Sequence, residues 1–104
     1  MPSVARRNGE DTVFSRTGAG YQCRAPVNTV TGEGSSDVKA NGIGVVRQGD
    51  KVGNHSASGC SPDQSALSTF SSTVRANGKW IGRIGDQYTS DNVITSGSIT
   101  VFAG

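Results

Sequence analysis

From residue 35 to 50 the chain reads SSDVKANGIGVVRQGD, in which apolar and polar positions alternate on either side of an Asn-Gly pair; the pattern returns without a gap at 71 to 86 as SSTVRANGKWIGRIGD, identical in 9 of 16 columns. An Asn-Gly flanked by alternating residues predicts a two-residue type I′ hairpin, and a turn that short fixes the register. Ala40 then faces Ile43 and Val38 faces Val45, while Ala76 faces Lys79 and Val74 faces Ile81. Val38, Val45, Val74 and Ile81 fall on one face, the core side. Asp37, Lys39, Thr73 and Arg75 fall on the other, the solvent side. Trp80 stands opposite Arg75, which predicts an exposed cation–π pair worth about 0.5–1 kcal/mol at most.

A third copy emerges when the two ends are read as continuous. Thr100-Val101-Phe102-Ala103-Gly104 followed by Met1-Pro2-Ser3-Val4-Ala5-Arg6 aligns with residues 73 to 83 and sets Val101 opposite Val4. Each return strand closes on Arg, one residue, then Gly-Asp: Arg47 to Asp50 and Arg83 to Asp86. In the terminal copy Arg6 is followed by Arg7-Asn8-Gly9-Glu10-Asp11, a lengthened turn. Helical periodicity is absent, and the segments between repeats are rich in Ser, Gly, Thr and Asn. Three units in 104 residues, with the ends meeting inside one of them, predict an all-β body of approximate threefold symmetry rather than an open solenoid.

Composition sharpens this picture. The chain has the size of one domain, residues 1–104, with no linker signal. Only 33% of residues are hydrophobic and 15 are Gly, so the core is thin and burial alone stabilises weakly. Such domains lean on a metal, a cross-link or partner subunits. The net charge is +2 with Lys and Arg dispersed, which argues against nucleic acid. No window approaches the roughly 20 apolar residues of a membrane span, and the first 20 residues lack the apolar centre of a secretion signal. Synthesis in a cytosol is expected, where Cys23 and Cys60 are thiols or metal ligands more often than a disulfide. Arg6, Arg47 and Arg83, each beside a Gly-Asp, read as structural side chains bonded to nearby carbonyls or carboxylates rather than as an anion clamp.

The unit of a Ser-rich entry, Thr/Asp-Val-x-Ala-Asn-Gly, a short apolar strand, Arg-x-Gly-Asp and a loop bearing Cys or His resembles the proline-alanine-alanine-arginine (PAAR) repeat family over nearly the whole chain. The resemblance includes the start, Pro2 to Arg6, and the end, Ser96 to Gly104. The name motif is degenerate, its place taken by Ser3-Val4-Ala5-Arg6, Gly44-Val45-Val46-Arg47 and Trp80-Ile81-Gly82-Arg83. The resemblance implies a small cone of three hairpin repeats with long loops meeting at a metal-bearing tip. Such a cone caps the distal end of a homotrimeric β-helical spike in a contractile injection machine and aids membrane puncture. A phage tail baseplate is favoured over a type VI secretion system, since the sequence ends at Gly104 without an added domain. The protein would be a monomeric, non-enzymatic structural component, assembled in the bacterial cytoplasm and touching the target membrane transiently.

On that resemblance the metal ligands are Cys23, His55 and Cys60, holding one structural zinc, with iron as an alternative. His55 is the only histidine, Cys60 follows five residues later, and Cys23 lies in the corresponding loop after Asp11. Without the resemblance this spacing is a weak motif, and the alternative for Cys23 is a small buried hydrophobe or a disulfide partner of Cys60. The 36-residue offset maps His55 onto Asp91, a position that a turn role in Thr89-Ser90-Asp91-Asn92 explains better. Two other functions compete with this reading. A zinc or cysteine hydrolase needs an enclosed pocket that a thin three-hairpin body lacks material to build. A free-standing glycan- or protein-binding module would use Trp80, Tyr21 and Tyr88, but six dispersed aromatics support it little.

Overall fold

The computed structural model describes residues 1–15, 27–53, 65–89 and 92–104, and among them the only regular elements are β-strands, all paired antiparallel. These are β1 (Thr12–Ser15), β2 (Val27–Val30), β3 (Lys39–Ala40), β4 (Ile43–Gly44), β5 (Arg75–Ala76), β6 (Lys79–Trp80), β7 (Gln87–Tyr88) and β8 (Asn92–Ile94). The body measures 37 × 23 × 22 Å, one long axis and two nearly equal short ones.

Both Asn-Gly hairpins form in the expected register. Ala40 pairs Ile43 and Lys39 pairs Gly44; Ala76 pairs Lys79 and Arg75 pairs Trp80. Asn41 and Gly42 take φ of 55° and 79°, Asn77 and Gly78 φ of 55° and 76°, the left-handed pair that a type I′ turn requires. The two chain ends build a third hairpin. Ser3 bridges Phe102, Val4 N–H donates to Val101 O at 2.9 Å, and Ala103 N–H donates to Pro2 O at 3.0 Å. The Val4 bond repeats those from Val45 to Val38 and from Ile81 to Val74, each 3.0 Å.

The return strands then engage one another in turn. Arg6 bridges Val45, Arg47 bridges Ile81, and Arg83 bridges Val4. One residue inward, Val46 N–H donates to Ala5 O at 3.0 Å, Gly82 N–H to Val46 O at 2.8 Å, and Ala5 N–H to Gly82 O at 3.0 Å. Three backbone bonds thus close a circuit, in which each of the three residues donates once and accepts once. Around it packs a cluster of Val4, Val45, Ile81, Ala40, Ala76 and Ala103, with Val38 and Val74 half-buried against it. The third apolar pair is unequal: Val4 is buried, while Val101 stays 36% exposed. Much of the inner face is covered instead by the alanine beside each turn.

A second layer stacks on the first. The four-stranded sheet runs β2-β1-β8-β7, and isolated bridges join its margins: Thr31 to Val52, Lys51 to Ala66, and Leu67 to Tyr88 in β7. Six segments therefore form a closed antiparallel ring. Closure removes open strand edges at this level, as it does in a barrel. Its interior holds Val13, Val52, Leu67, Tyr88 and Ile94, together with Ala5 and Val46 from the circuit. Val13, Val52 and Tyr88 each lie two residues past the aspartate of their unit, which is why they enter the same core level.

Candidate functional site

The most regular polar feature is a set of three Arg–Asp clasps. Asp11 Oδ2 accepts from Arg6 N at 2.7 Å and from Arg6 Nε at 3.0 Å, and Oδ1 accepts from Arg6 Nη2 at 2.9 Å. Asp50 takes the same three bonds from Arg47 at 2.8, 3.0 and 3.1 Å, and Asp86 from Arg83 at 2.8, 2.9 and 3.1 Å. The aspartates are buried and the arginines partly exposed. Each guanidinium is held above its ordinary pKa, first by its hydrogen bond to the aspartate and then by the aspartate's charge, with desolvation opposing. The fork geometry suits arginine, and the sequence expectation that these residues are structural holds.

Between units the clasps are linked by the turn asparagines. Asn77 Nδ2 donates to Asp37 Oδ1 at 2.8 Å, and its Oδ1 accepts from Ser35 Oγ at 2.6 Å and from Arg47 Nη1 at 3.1 Å. Asn41 repeats this one unit earlier, donating to Thr100 Oγ1 at 2.8 Å and accepting from Ser98 Oγ at 2.5 Å and Arg6 Nη1 at 3.4 Å. In the third position Gly104 O accepts from the hydroxyls of Ser71 and Thr73. The bonds from Asn77 and Ser35 hold the Asp37 carboxyl below its ordinary pKa. Sequence reading assigned the Asn-Gly pairs only a turn role and gave Ser35, Ser71 and Ser98 none. The signal was available, since each serine stands three residues before the outer-strand valine of its unit and accepts that valine's N–H.

Cys23, His55 and Cys60 lie outside the described residues, as do Tyr21 and Asp91. The described residues that flank these positions lie together on the ring: Ser15 and Val27, Gly53 and Ser65, Thr89 and Asn92. At the opposite margin of the ring Thr12, Lys51 and Gln87 bond to Ser96, Glu33 and Thr69, the residues that lead into the hairpins. The three flanking pairs therefore share the end turned away from the hairpins. Among the described residues no group of three or more His, Cys, Asp and Glu stands close enough to hold a metal.

Trp80 and Tyr88 are both engaged by the fold. Arg75 Cζ sits 3.9 Å from the Trp80 ring centroid, the cation–π contact that the register predicts. Tyr88 is 1% exposed and offers no face to a sugar or a protein. Among the described residues its hydroxyl finds no hydrogen-bond partner, and burial, reinforced by the charges of Asp50 and Asp11, pushes the phenol's pKa well up from 10.0. Among the described residues no helix is long and apolar enough to cross a membrane. Comparison with models of known protein families and with curated proteins finds no match to either.

Proposed function

We propose that the chain is a PAAR-like spike tip: three hairpin units set about a pseudo-threefold axis, narrowing toward a metal-bearing point, that cap the end of a homotrimeric β-helical spike in a contractile injection machine, a phage baseplate before a type VI system. The observation that carries this reading is the closed circuit of hydrogen bonds among Ala5, Val46 and Gly82, in which three non-identical segments of one chain occupy equivalent places. A monomer of that kind can answer a trimer's three equal strand ends. Its work is mechanical. The three clasps, the closed ring and the joined ends give a thin body the stiffness a point needs.

A metal would complete the point. Two thiolates and one imidazole are a donor set suited to zinc, with iron as an alternative. Cys23, together with His55 and Cys60, belongs to connections whose flanking residues leave the same end of the ring, which favours a shared site. There the ion would replace missing core and staple the units together. Cys60→Ser is expected to lower metal content and melting temperature together; full stability with no metal would remove the staple. Native mass spectrometry of the chain mixed with the homotrimeric spike of its own machine tests the cap. One copy per trimer is expected, and either three copies or none would refute the reading.

A further inference from the structure

Asn-Gly occurs three times in the chain, at Asn8-Gly9, Asn41-Gly42 and Asn77-Gly78, and each pair sits in an exposed turn. The backbone shape is nearly the same in all of them, with φ of 58° and 79°, 55° and 79°, and 55° and 76°. Such a pair carries its own reaction. The glycine nitrogen can attack the asparagine Cγ to close a cyclic imide, because glycine has no side chain to obstruct the approach. Since one backbone geometry is shared by three copies, what separates them is how each reacting group is held.

Asn41 and Asn77 are bound through both atoms of their amides. Asn77 Nδ2 donates to Asp37 Oδ1, and its Oδ1 accepts from Ser35 Oγ and Arg47 Nη1. Asn41 makes the same three contacts with Thr100, Ser98 and Arg6. For Cγ to swing over the next nitrogen, these bonds must break together. The Asn8 amide, by contrast, is exposed and has no hydrogen-bond partner among the described residues. There the restraint falls on the other reactant: Gly9 N–H donates to Thr31 O at 2.9 Å, beside the bond from Asn8 N–H to Gly32 O at 2.9 Å. The N–H groups of Gly42 and Gly78 are unbonded among the described residues. Opening one backbone bond in an exposed turn therefore releases Asn8-Gly9, whereas the other two pairs need a network between units to come apart. The smaller opening is the more frequent one.

We infer that Asn8 is a site of spontaneous covalent modification, converting to aspartate and isoaspartate in the folded protein while the ties to Ser98 and Ser35 keep Asn41 and Asn77 as amides. The bond from Gly9 N to Asn8 Cγ forms and the bond from Cγ to Nδ2 breaks; Nδ2 leaves as ammonia, carrying off the proton from Gly9 N. Water then opens the imide. Attack at Cγ gives aspartate, and attack at the main-chain carbonyl carbon gives isoaspartate, in which the backbone runs through Cβ and Cγ. That link adds a carbon between the N–H groups of residues 8 and 9, which bond in step to Gly32 and Thr31. A lengthened backbone cannot keep both bonds. Either product also sets a carboxylate in the polar hollow that Asn8 lines with Arg7, Glu33 and Lys79, where Arg7 makes no ion pair among the described residues. The modification thus falls on one unit of three and loosens the lengthened turn that breaks their symmetry.

The test incubates the whole folded chain in warm, mildly alkaline buffer and follows each Asn-Gly peptide by digestion and mass spectrometry, with a parallel sample in denaturing urea. In the folded chain Asn8 should convert at least about tenfold faster than Asn41 or Asn77, the ratio set by the additional net hydrogen bonds those two must break. In urea the three should convert at similar rates. Ser98→Ala, its fold checked by circular dichroism, should raise conversion at Asn41 and leave Asn77 slow. Amide exchange should quicken at residues 8 and 9 of the isoaspartyl product and stay unchanged at Ala5 and Val46. A folded-state preference for Asn8 no larger than the preference in urea would overturn the assignment, because it would then belong to the flanking residues and not to the fold. Faster conversion of Asn41 or Asn77 than of Asn8 would overturn it as well, and an unchanged Asn41 in folded Ser98→Ala protein would remove the protective role of the serine. If that variant does not fold, the comparison within the parent chain decides alone.

Discussion

Ser3 and Phe102 face each other across the joined ends of the chain in the register that Gly44 holds with Lys39 and Trp80 with Arg75. Gly104 and Met1 thereby occupy the turn positions of Asn41-Gly42 and Asn77-Gly78. A circular permutant that bonds residue 104 to residue 1 and opens the chain between Asn41 and Gly42 should fold. Its end-to-end bond replaces the one lost, and the loop-closure cost is comparable. Matching circular dichroism and a melting temperature within a few degrees are expected. A permutant that stays unfolded, while the parent tolerates deletion of residues 98–104, would show that the joined ends contribute nothing.

The Arg–Asp clasps should respond unequally to loss of either partner. Removing the arginine in Arg47→Ala strands the Asp50 carboxylate, 4% exposed, and should cost about 3–5 kcal/mol in urea unfolding. Asp50→Asn keeps the shape and leaves a partly exposed guanidinium that water can reach, at about 1–2 kcal/mol. Arg47→Lys should recover little, because an ammonium cannot reproduce the two-pronged contact. Equal losses for Arg47→Ala and Asp50→Asn would mean the burial difference is irrelevant.

The core offers a steric test and a charge test. A Cβ on Gly82 would come within 2.8 Å of Leu67 Cδ2 and 3.3 Å of Val46 Cγ1. Gly82→Val should destabilise by about 1–3 kcal/mol, with partial recovery in the Leu67→Ala background, where the opposing branch is gone. Val45→Asp places an unpaired charge at a site 2% exposed and should unfold the protein, a loss of several kcal/mol. A soluble, folded Val45→Asp protein would contradict the face assignment.

Tyr88 predicts a particular alkaline behaviour. Its pKa is raised in the folded state, so its contribution to stability is complete below the unfolded value of about 10 and is lost as pH rises beyond it. Phenolate absorbance should show Tyr88 ionising only together with unfolding. Tyr88→Phe should remove that alkaline loss. Early ionisation of both tyrosines without unfolding would place Tyr88 at the surface.

The hairpins were legible in the sequence because their information is local. An Asn-Gly pair dictates left-handed φ, and the register of Val38 with Val45 follows by counting. The third hairpin was legible through repetition alone. The closed ring was not, because its pairs join segments far apart in the chain, such as Val13 with Ile94 and Leu67 with Tyr88, through strands of two to four residues too short to show a period. Val101 was assigned a full share of the core, but the alanines beside the turns cover much of that face. Asn8 and Gly9 also take left-handed φ, 58° and 79°, in the lengthened turn after Arg6. Alignment to a two-residue-shorter unit hid that third Asn-Gly turn. Of the candidate site, the clasps at Arg6, Arg47 and Arg83 could be read from their Gly-Asp neighbours; the proposed metal donors Cys23, His55 and Cys60 stand outside the described residues and rest on the family resemblance.

The spike-tip proposal depends on the chain's two ends building the third hairpin. Because the bonds from Val4 N–H and Ala103 N–H flank Ser3 and Phe102 without joining them, their α-protons should lie close together, as in any non-hydrogen-bonded antiparallel pair. A nuclear Overhauser measurement between Ser3 Hα and Phe102 Hα tests this directly. The account predicts a strong cross-peak, comparable with Arg75 Hα to Trp80 Hα; its absence in a folded protein that shows the Arg75–Trp80 peak would contradict it.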